Sequence, residues 1–576
     1  MKRINDDRLT YISLFSSAGV GCYGFKMHGF ECIATNEIIE RRINVQKFND
    51  KCKYETGYIC GDIAEESVKH RLFNEVEWWK KHEKISNVTV VIATPPCQGM
   101  SVANHKKAEN EIVRNSLVIE SIKIIEKICP LFFIFENVPA FMKTICTDTD
   151  GTEKTISEAI DAHLGVKYAT YSQVINFKNY GACSSRSRTV VIGVRKDLSD
   201  FISPFELFPD YQEEKTLREV IGNLPALREF GEISKSDIYH AFRVYPEYMR
   251  SWIADLKEGE SAFDQSDLSK VPHKVVNGEI VVNIRKNGDK YRRQYWDKVG
   301  PCIHTRNDQL ASQNTIHPSD DRVFSIRELM MMMTIPSSFR WTNISEQTLN
   351  SLSIEKKRAF LKKEEIKIRQ CLGEAVPTAV FESIADKIAF FFSRKHLSDA
   401  DVKKLIDTTD LSSLDRIINY ISTNFDTIGI SSISKVVEYA NAKREHNAAF
   451  FTDKSILNEI MKYLPDIDKD VIHIGERDRK IRILIDVSAL FHTIIDQDVF
   501  SSRIEIMAAA SHFMIRADKC QFHGTPPFAA KSGNSCKHPI PVVDIQKYPF
   551  FPTVQCPQPF SRSPRILSFR FLPQIL

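Results

Sequence analysis

In the N-terminal third of the chain the apolar positions gather into short, nearly unbroken runs at Tyr11–Phe15, Glu31–Asn36, Val88–Ala93, Leu131–Phe135 and Val190–Val194. Runs of this length, rich in β-branched and aromatic residues, read as buried strands. Helical patterns separate them, and that alternation predicts parallel βαβ units in an α/β fold. One helix is expected over Glu111–Ile128, where Val118, Ile122, Ile125 and Ile128 share a face. Ile119 and Ile124 fall off that stripe, so the helix is expected to be buried on more than one side.

The pattern then changes along the chain. From Ser199 to Tyr291 it fades into mixed, polar, loop-rich sequence. Regularity returns at Val323–Leu329 and runs through a charged helix, Ile354–Arg369, to Ala375–Phe392. Leu397–Ala442 reads as a small helical segment or linker, and Phe450–Leu464 as the start of another unit. After Arg477 periodicity decays, and ten of the 24 prolines crowd the end, which predicts a poorly ordered extension.

Two punctuation marks in this pattern point to chemistry. The run Val88–Ala93 stops at Thr94-Pro95-Pro96-Cys97-Gln98-Gly99. Neither proline can donate to a strand ladder, so the chain turns and delivers one cysteine to the carboxyl edge of the sheet. Ligands bind at that edge in open α/β sheets, which makes Cys97 a candidate nucleophile. An incidental thiol in a proline turn would look the same. The first run passes into Phe15-Ser16-Ser17-Ala18-Gly19-Val20-Gly21, small residues that let a backbone approach a nucleotide-like ligand. The second ends in Asn36-Glu37, and a carboxylate there is placed to hold ribose hydroxyls. Asp62-Ile63 adds another acid, Glu136 another carboxylate at a strand end, and Arg186 and Arg188 alternate before the last run. Each of these also has a bland reading as a tight turn, a cap or a solvated pair.

Composition narrows the picture only a little. A net charge of +4 permits a local basic face and does not by itself announce nucleic acid. The 13 cysteines are odd in number and lack metal-type spacing, so they are expected to be reduced thiols with no metal site. Met1–Asp7 has no signal-peptide character and no segment is long enough to span a bilayer, so a cytoplasmic protein without a membrane partner is expected.

Taken in order, Phe15–Gly19, Glu37, Pro95-Pro96-Cys97, Arg114-Asn115-Ser116-Leu117, Glu136-Asn137-Val138 and Arg186/Arg188 resemble the motifs of C5-cytosine DNA methyltransferases. Thr216–Gly222, Arg322–Glu328 and Gly373-Glu374-Ala375-Val376-Pro377 continue the resemblance, which spans residues 8–392. It departs from the family at three places: Ser17 replaces a glycine of FxGxG, Ser184 the glutamine of QxRxR, and Glu374 the asparagine of GNxVP. Ser17 costs backbone freedom only if it must take positive φ.

The resemblance implies a doubly wound, mostly parallel sheet of the S-adenosylmethionine-dependent methyltransferase type. It implies a catalytic and cofactor-binding core at 8–198, a small mixed target-recognition region at 199–309, and a return to the core at 310–394. A helical linker at 395–446 and a degenerate amino-methyltransferase-like segment at 447–576 would follow. That last reading rests on Asn447–Ser455, a first strand at Val471–Glu476, and Thr525-Pro526-Pro527-Phe528 as an altered catalytic tetrapeptide.

By resemblance, Cys97 is the nucleophile, Glu136 holds the cytosine ring, and Arg186 and Arg188 supply the positive field and fix base and phosphate. Phe15, Ser16, Gly19, Glu37, Asp62, Ile63, Pro95, Glu374 and Val376 would hold S-adenosylmethionine. Gln98 and Ser101, in a mobile Gln98–Lys107 loop, and Arg285, Arg292 and Arg293 would contact DNA. The expected partners are double-stranded DNA and a cognate restriction endonuclease, with the enzyme itself a monomer. An RNA cytosine methyltransferase on the same core, or a catalytically silent nucleic-acid-binding module, are the competing readings.

Overall fold

The computed structural model describes residues 8–96, 117–199, 201–282, 287–425, 427–445, 473–477, 480–484 and 568–569. Cys97, Gln98, Ser101, Arg114, Arg285 and the Thr525–Phe528 tetrapeptide lie outside these residues. The described chain forms two compact units, 1–395 and 396–576.

The first unit is built on β1 (Thr10–Leu14), β2 (Glu31–Glu37), β3 (Tyr58–Cys60), β4 (Val90–Ala93), β5 (Phe132–Asn137), a side hairpin β6 (Ile145–Thr147) and β7 (Glu153–Thr155), then β8 (Tyr168–Asn176) and β9 (Ser187–Arg195). Seven of these make one sheet in the order β3-β2-β1-β4-β5-β9-β8. Neighbours from β3 to β5 are parallel, while β9 runs antiparallel to both β5 and β8. The sheet is therefore doubly wound and mostly parallel, and its strand order reverses between β1 and β4. That switch point is where an α/β sheet opens a crevice.

Every residue of β1, β4 and β5 is buried, because helices cover both faces. The helices are α1 (Tyr23–Met27), α2 (Glu40–Phe48), α3 (Glu66–His82), α4 (Leu117–Ile128), α5 (Ile156–Leu164), α6 (Ile326–Met332), α7 (Ile354–Glu374) and α8 (Thr378–Ser393), of which α6 and α7 pack together in a separate cluster without strand residues. Side chains alternate between the two faces. Phe132 and Ile134 pack with Val380, Ile384 and Ile388 of α8, whereas Phe133 and Phe135 pack with α4. Ile119 and Ile124 of α4 are both buried in that second cluster, as the two-sided pattern predicts.

The four central strands fall where the apolar runs place them, within about two residues at each end. Two were not read. β3 has three residues, too few for a period. β8, YATYSQVIN, is a half-buried edge strand that pairs only with β9 and shows no apolar alternation. Its tight return through Phe177–Asn179 makes β9 antiparallel.

Gly193 on β9 lies opposite Phe133 on β5, and a Cβ on it would stand 2.0 Å from the Phe133 ring. Gly193→Ala is expected to cost about 1–3 kcal/mol through overpacking. Thermal unfolding checks this: the melting temperature should fall, and Phe133→Leu added to Gly193→Ala should restore part of the loss.

The middle region has little regular structure beyond the hairpin β10 (His273–Val276) and β11 (Glu279–Val282). Asn277 (φ 53°) and Gly278 (φ 84°) form its turn, the left-handed pair that a two-residue hairpin demands. A small core of Trp252, Ile253, Phe263 and Tyr291 also takes in Leu310, Ile316 and Val323, so packing continues past the expected boundary at 309.

In the second unit, α9 (Asp399–Thr408), α10 (Leu414–Asn424) and α11 (Ile430–Glu445) bury Val402, Ile406, Ile417, Ile421, Ile433, Val436 and Val437 together. The expected linker thus carries a core of its own. β12 (His473–Arg477) pairs antiparallel with β13 (Lys480–Leu484), and β14 (Ser568–Phe569) pairs parallel with β13. The strand expected at Val471–Glu476 is followed at once by an antiparallel partner. Among the described residues no helix is long and apolar enough to cross a membrane.

Candidate active site

The carboxyl ends of β1, β2, β4 and β5 border one cavity of about 840 Å³. Phe15, Ser16, Glu37, Asp62, Ile63, Pro95, Glu136, Arg186, Arg188, Glu374 and Val376 all line it. Eleven residues spread over most of the first unit thus converge on one place. Gly19 does not line it. Its left-handed φ of 79° turns the loop back, and a Cβ there would stand 3.1 Å from Gln46 Cγ.

The loop after β1 is held in an unusual backbone path. Phe15 (φ 54°) and Ser17 (φ 45°) both occupy the left-handed region, which costs a side-chain-bearing residue roughly 1–2 kcal/mol. The serine that replaces glycine at position 17 does therefore sit where glycine is favoured. Its backbone N–H donates to Glu37 Oε2 at 2.8 Å, and Thr94 Oγ1 donates to the Phe15 carbonyl at 3.0 Å. Ser16 is buried, with its hydroxyl donating to the Asn36 carbonyl and accepting from Gln46 Nε2. That hydroxyl anchors the loop.

Glu37 is buried at the end of β2, with its carboxylate accepting from the N–H groups of Ser17 and Ile39. A carboxylate has about four acceptor sites, so capacity remains toward the cavity. Arg42, which sequence reasoning missed, places Nη1 3.4 Å from Glu37 Oε1. Asp62 accepts from the Ala64 N–H through one oxygen at 2.9 Å.

On the other side of the cavity, Glu136 ends β5 and Arg188 Nε approaches its Oε1 at 3.2 Å. Burial pushes the Glu136 carboxyl up from its ordinary value, against the pull of Arg188 and Arg186 in the other direction. The group therefore keeps a proton to higher pH than a solvated glutamate. Asn137, the next residue, donates to the Pro95 carbonyl at 2.9 Å and fixes the proline turn that leads to Cys97. No periodicity distinguishes Asn137 from an ordinary strand end.

Arg186 has structural partners as well as a place on the cavity wall. It is buried, and its Nη1 donates to the carbonyls of Ile303 (3.0 Å) and Gly373 (2.6 Å). It thereby ties the segment at Ile303 to the last turn of α7. Arg293 is corrected. Its buried guanidinium donates to the carbonyls of Ile253, His317 and Asp320 and to Asp321 at 2.6 Å, so it cannot reach DNA. Arg292 is half-buried and donates through Nε and Nη1 to the Gly288 and Gly259 carbonyls. Lys290 and Lys298 of the same basic stretch remain exposed.

The family model for C-5 cytosine-specific DNA methylases matches residues 9–389. The chain belongs to this family. It is a DNA cytosine C5-methyltransferase, and membership implies S-adenosylmethionine as methyl donor. Type II methyltransferase M1.HgaI of Avibacterium volantium is 31% identical over 390 residues, covering 66% of this chain and 97% of that protein. Type II methyltransferase M1.HphI of Haemophilus parahaemolyticus is 26% identical over 383 residues, covering 66% and 86%. Type II methyltransferase M.XorII of Xanthomonas oryzae is 24% identical over 351 residues, covering 57% and 77%. The match to the methylase family ends before the second unit begins.

Proposed function

We propose that this methyltransferase modifies carbon 5 of a flipped-out cytosine in a specific short duplex DNA sequence, through a covalent adduct of Cys97, as the modification enzyme of a restriction–modification system. The observation that carries the reading is the single cavity in which Glu37 and Asp62 face the Glu136–Arg188 pair, with the Pro95-Pro96 turn at its border. The residues fit the cofactor. Glu37 has acceptor capacity for ribose hydroxyls, Asp62 for an adenine amine, and Phe15, Ile63 and Val376 offer apolar walls to the ring. Bound there, S-adenosylmethionine supplies an electrophilic methyl on a sulfonium.

The protein's own groups do the remaining work. The Cys97 thiolate adds to carbon 6 of cytosine, which breaks the ring's aromaticity and makes carbon 5 enamine-like. Glu136 hydrogen-bonds the ring nitrogen and the exocyclic amine, stabilising charge as it develops. Arg188 keeps Glu136 in place and adds positive field. Asn137 holds the Pro95 turn, and Arg186 ties the Ile303 segment to the end of α7. A base inside a duplex cannot reach the cavity, so the target leaves the stack. The enzyme acts as a monomer, and its partner in the cell is an endonuclease cutting the same sequence.

Bisulfite sequencing of DNA from cells expressing the chain tests this directly. Protected cytosines should share one short sequence. Full conversion of every cytosine by bisulfite, from soluble and folded protein, sinks the reading.

A further inference from the structure

The positions where the chain departs from its family's pattern on the cofactor side, 17 and 374, touch each other. Ser17 Oγ donates to Glu374 Oε2 at 3.2 Å. Arg42 donates through Nη2 to Glu374 Oε1 at 2.7 Å and pairs with Oε2 at 2.6 Å, while its Nη1 reaches Glu37. All four residues line the cavity. Arg42 and Glu37 are nearly enclosed, with side chains 12% and 5% exposed, so water screens their contact poorly.

Glu374 is the last residue of α7, and the carbonyl end of a helix disfavours a carboxylate. The helix itself therefore offers no reason for an acid at this place. Arg42, with its neighbour Arg41 donating to Gln370 on the last turn of α7, holds the carboxylate against that field. Three carboxylates, Glu37, Asp62 and Glu374, line this side of the cavity, with Arg42 paired to two of them and Arg186 bonded to the neighbouring Gly373 carbonyl.

We propose that Glu374, held by Arg42 and Ser17, is a specificity-determining residue that favours the positively charged sulfonium cofactor over its neutral-sulfur product. The proposal rests on the reading that this cavity binds S-adenosylmethionine. The cofactor carries one more positive charge than S-adenosylhomocysteine, the thioether left after methyl transfer. A carboxylate added to the cavity wall therefore attracts the first more than the second, wherever along the wall the sulfur lies. Arg42 opposes that attraction and limits it. The benefit to turnover is faster loss of product relative to cofactor.

Isothermal titration of the full chain with S-adenosylmethionine and with S-adenosylhomocysteine tests the idea, read as the ratio of the two dissociation constants. Glu374→Gln should shift the ratio toward the product by about threefold or more, the scale of one charge at cavity distances. Glu374→Asp keeps the charge and should keep the ratio within twofold. Arg42→Gln should move the ratio toward the cofactor even though both ligands bind more weakly as Glu37 loses its brace. A ratio unchanged in Glu374→Gln, or shifted alike by Glu374→Gln and Arg42→Gln, overturns the proposal. Should Arg42→Gln not fold, the Gln and Asp variants at 374 decide it alone. Wild-type protein that binds neither ligand overturns the cofactor reading itself, a separate failure.

Discussion

Duplex DNA carrying 5-fluorocytosine at the methylated position should trap the wild-type protein in a covalent complex when S-adenosylmethionine is present, and Cys97→Ser should form none. The argument begins with electronics. Carbon 5 of cytosine is a poor nucleophile until a group adds at carbon 6, and a thiolate is the one side chain nucleophilic enough near neutral pH to do so readily. After methyl transfer the proton on carbon 5 must leave before the thiol can be expelled. Fluorine in its place cannot leave as a cation, so the adduct persists. A serine hydroxyl ionises far less and falls short as a nucleophile. Methylation in Cys97→Ser should therefore drop to background. The local structure fixes the turn that immediately precedes Cys97 in the chain. Thr94 donates to Phe15, Asn137 holds the Pro95 carbonyl, and both prolines forbid strand continuation. Denaturing electrophoresis of protein mixed with the labelled duplex reads the result. A retarded band with Cys97→Ser, or none with wild type on the bisulfite-identified sequence, removes Cys97 from the nucleophile's place.

How much of this was legible in the chain depended on what each residue's pattern can carry. β1, β2, β4 and β5 were readable because helices bury both of their faces, and a strand buried twice must be apolar nearly throughout. β8 was not, since an edge strand half open to solvent leaves no such signature. The cavity's acids were found because strand ends in a parallel sheet all point to one edge. Backbone conformation was hidden: Ser17 has the same letters around it whether or not φ is positive, and the cost is met by Glu37 and Glu374, which are distant in sequence. Arginines were the hardest. Arg292 and Arg293 form a basic run that reads as a nucleic-acid face, yet the Arg293 guanidinium is buried on backbone carbonyls and Asp321, and two nitrogens of Arg292 are engaged by carbonyls. Charge in a sequence gives no indication of which way it faces, and an arginine's five donors serve buried carbonyls as well as phosphates.

Glu136→Gln should lower the methylation rate by about 10²–10³-fold, the scale of losing one preorganised group that answers developing charge. It should also leave the protein as stable as wild type or more so at pH 8. The two effects share one cause. Burial raises the Glu136 carboxyl above its ordinary value, more than Arg188 and Arg186 lower it. In the unfolded chain the same carboxyl titrates at its ordinary value of about 4.3. As pH climbs above that value the unfolded state loses its proton first, so the folded state binds more protons and stability falls with rising pH. The fall ends once the folded carboxyl has ionised. Glutamine has no proton to lose and is spared that cost, while Arg188, half-buried with its Nη1 on the Ser187 carbonyl, keeps a partner. The difference in melting temperature, Glu136→Gln minus wild type, should therefore grow in favour of the variant from pH 5 upward and then level off. A variant equally impaired in rate but less stable at every pH would mean that the Glu136–Arg188 contact is chiefly structural. The predicted opposition between rate and stability is what a buried acid kept for catalysis requires. The protein tolerates a costly buried acid at the end of β5 because the cytosine ring needs its hydrogen bond there.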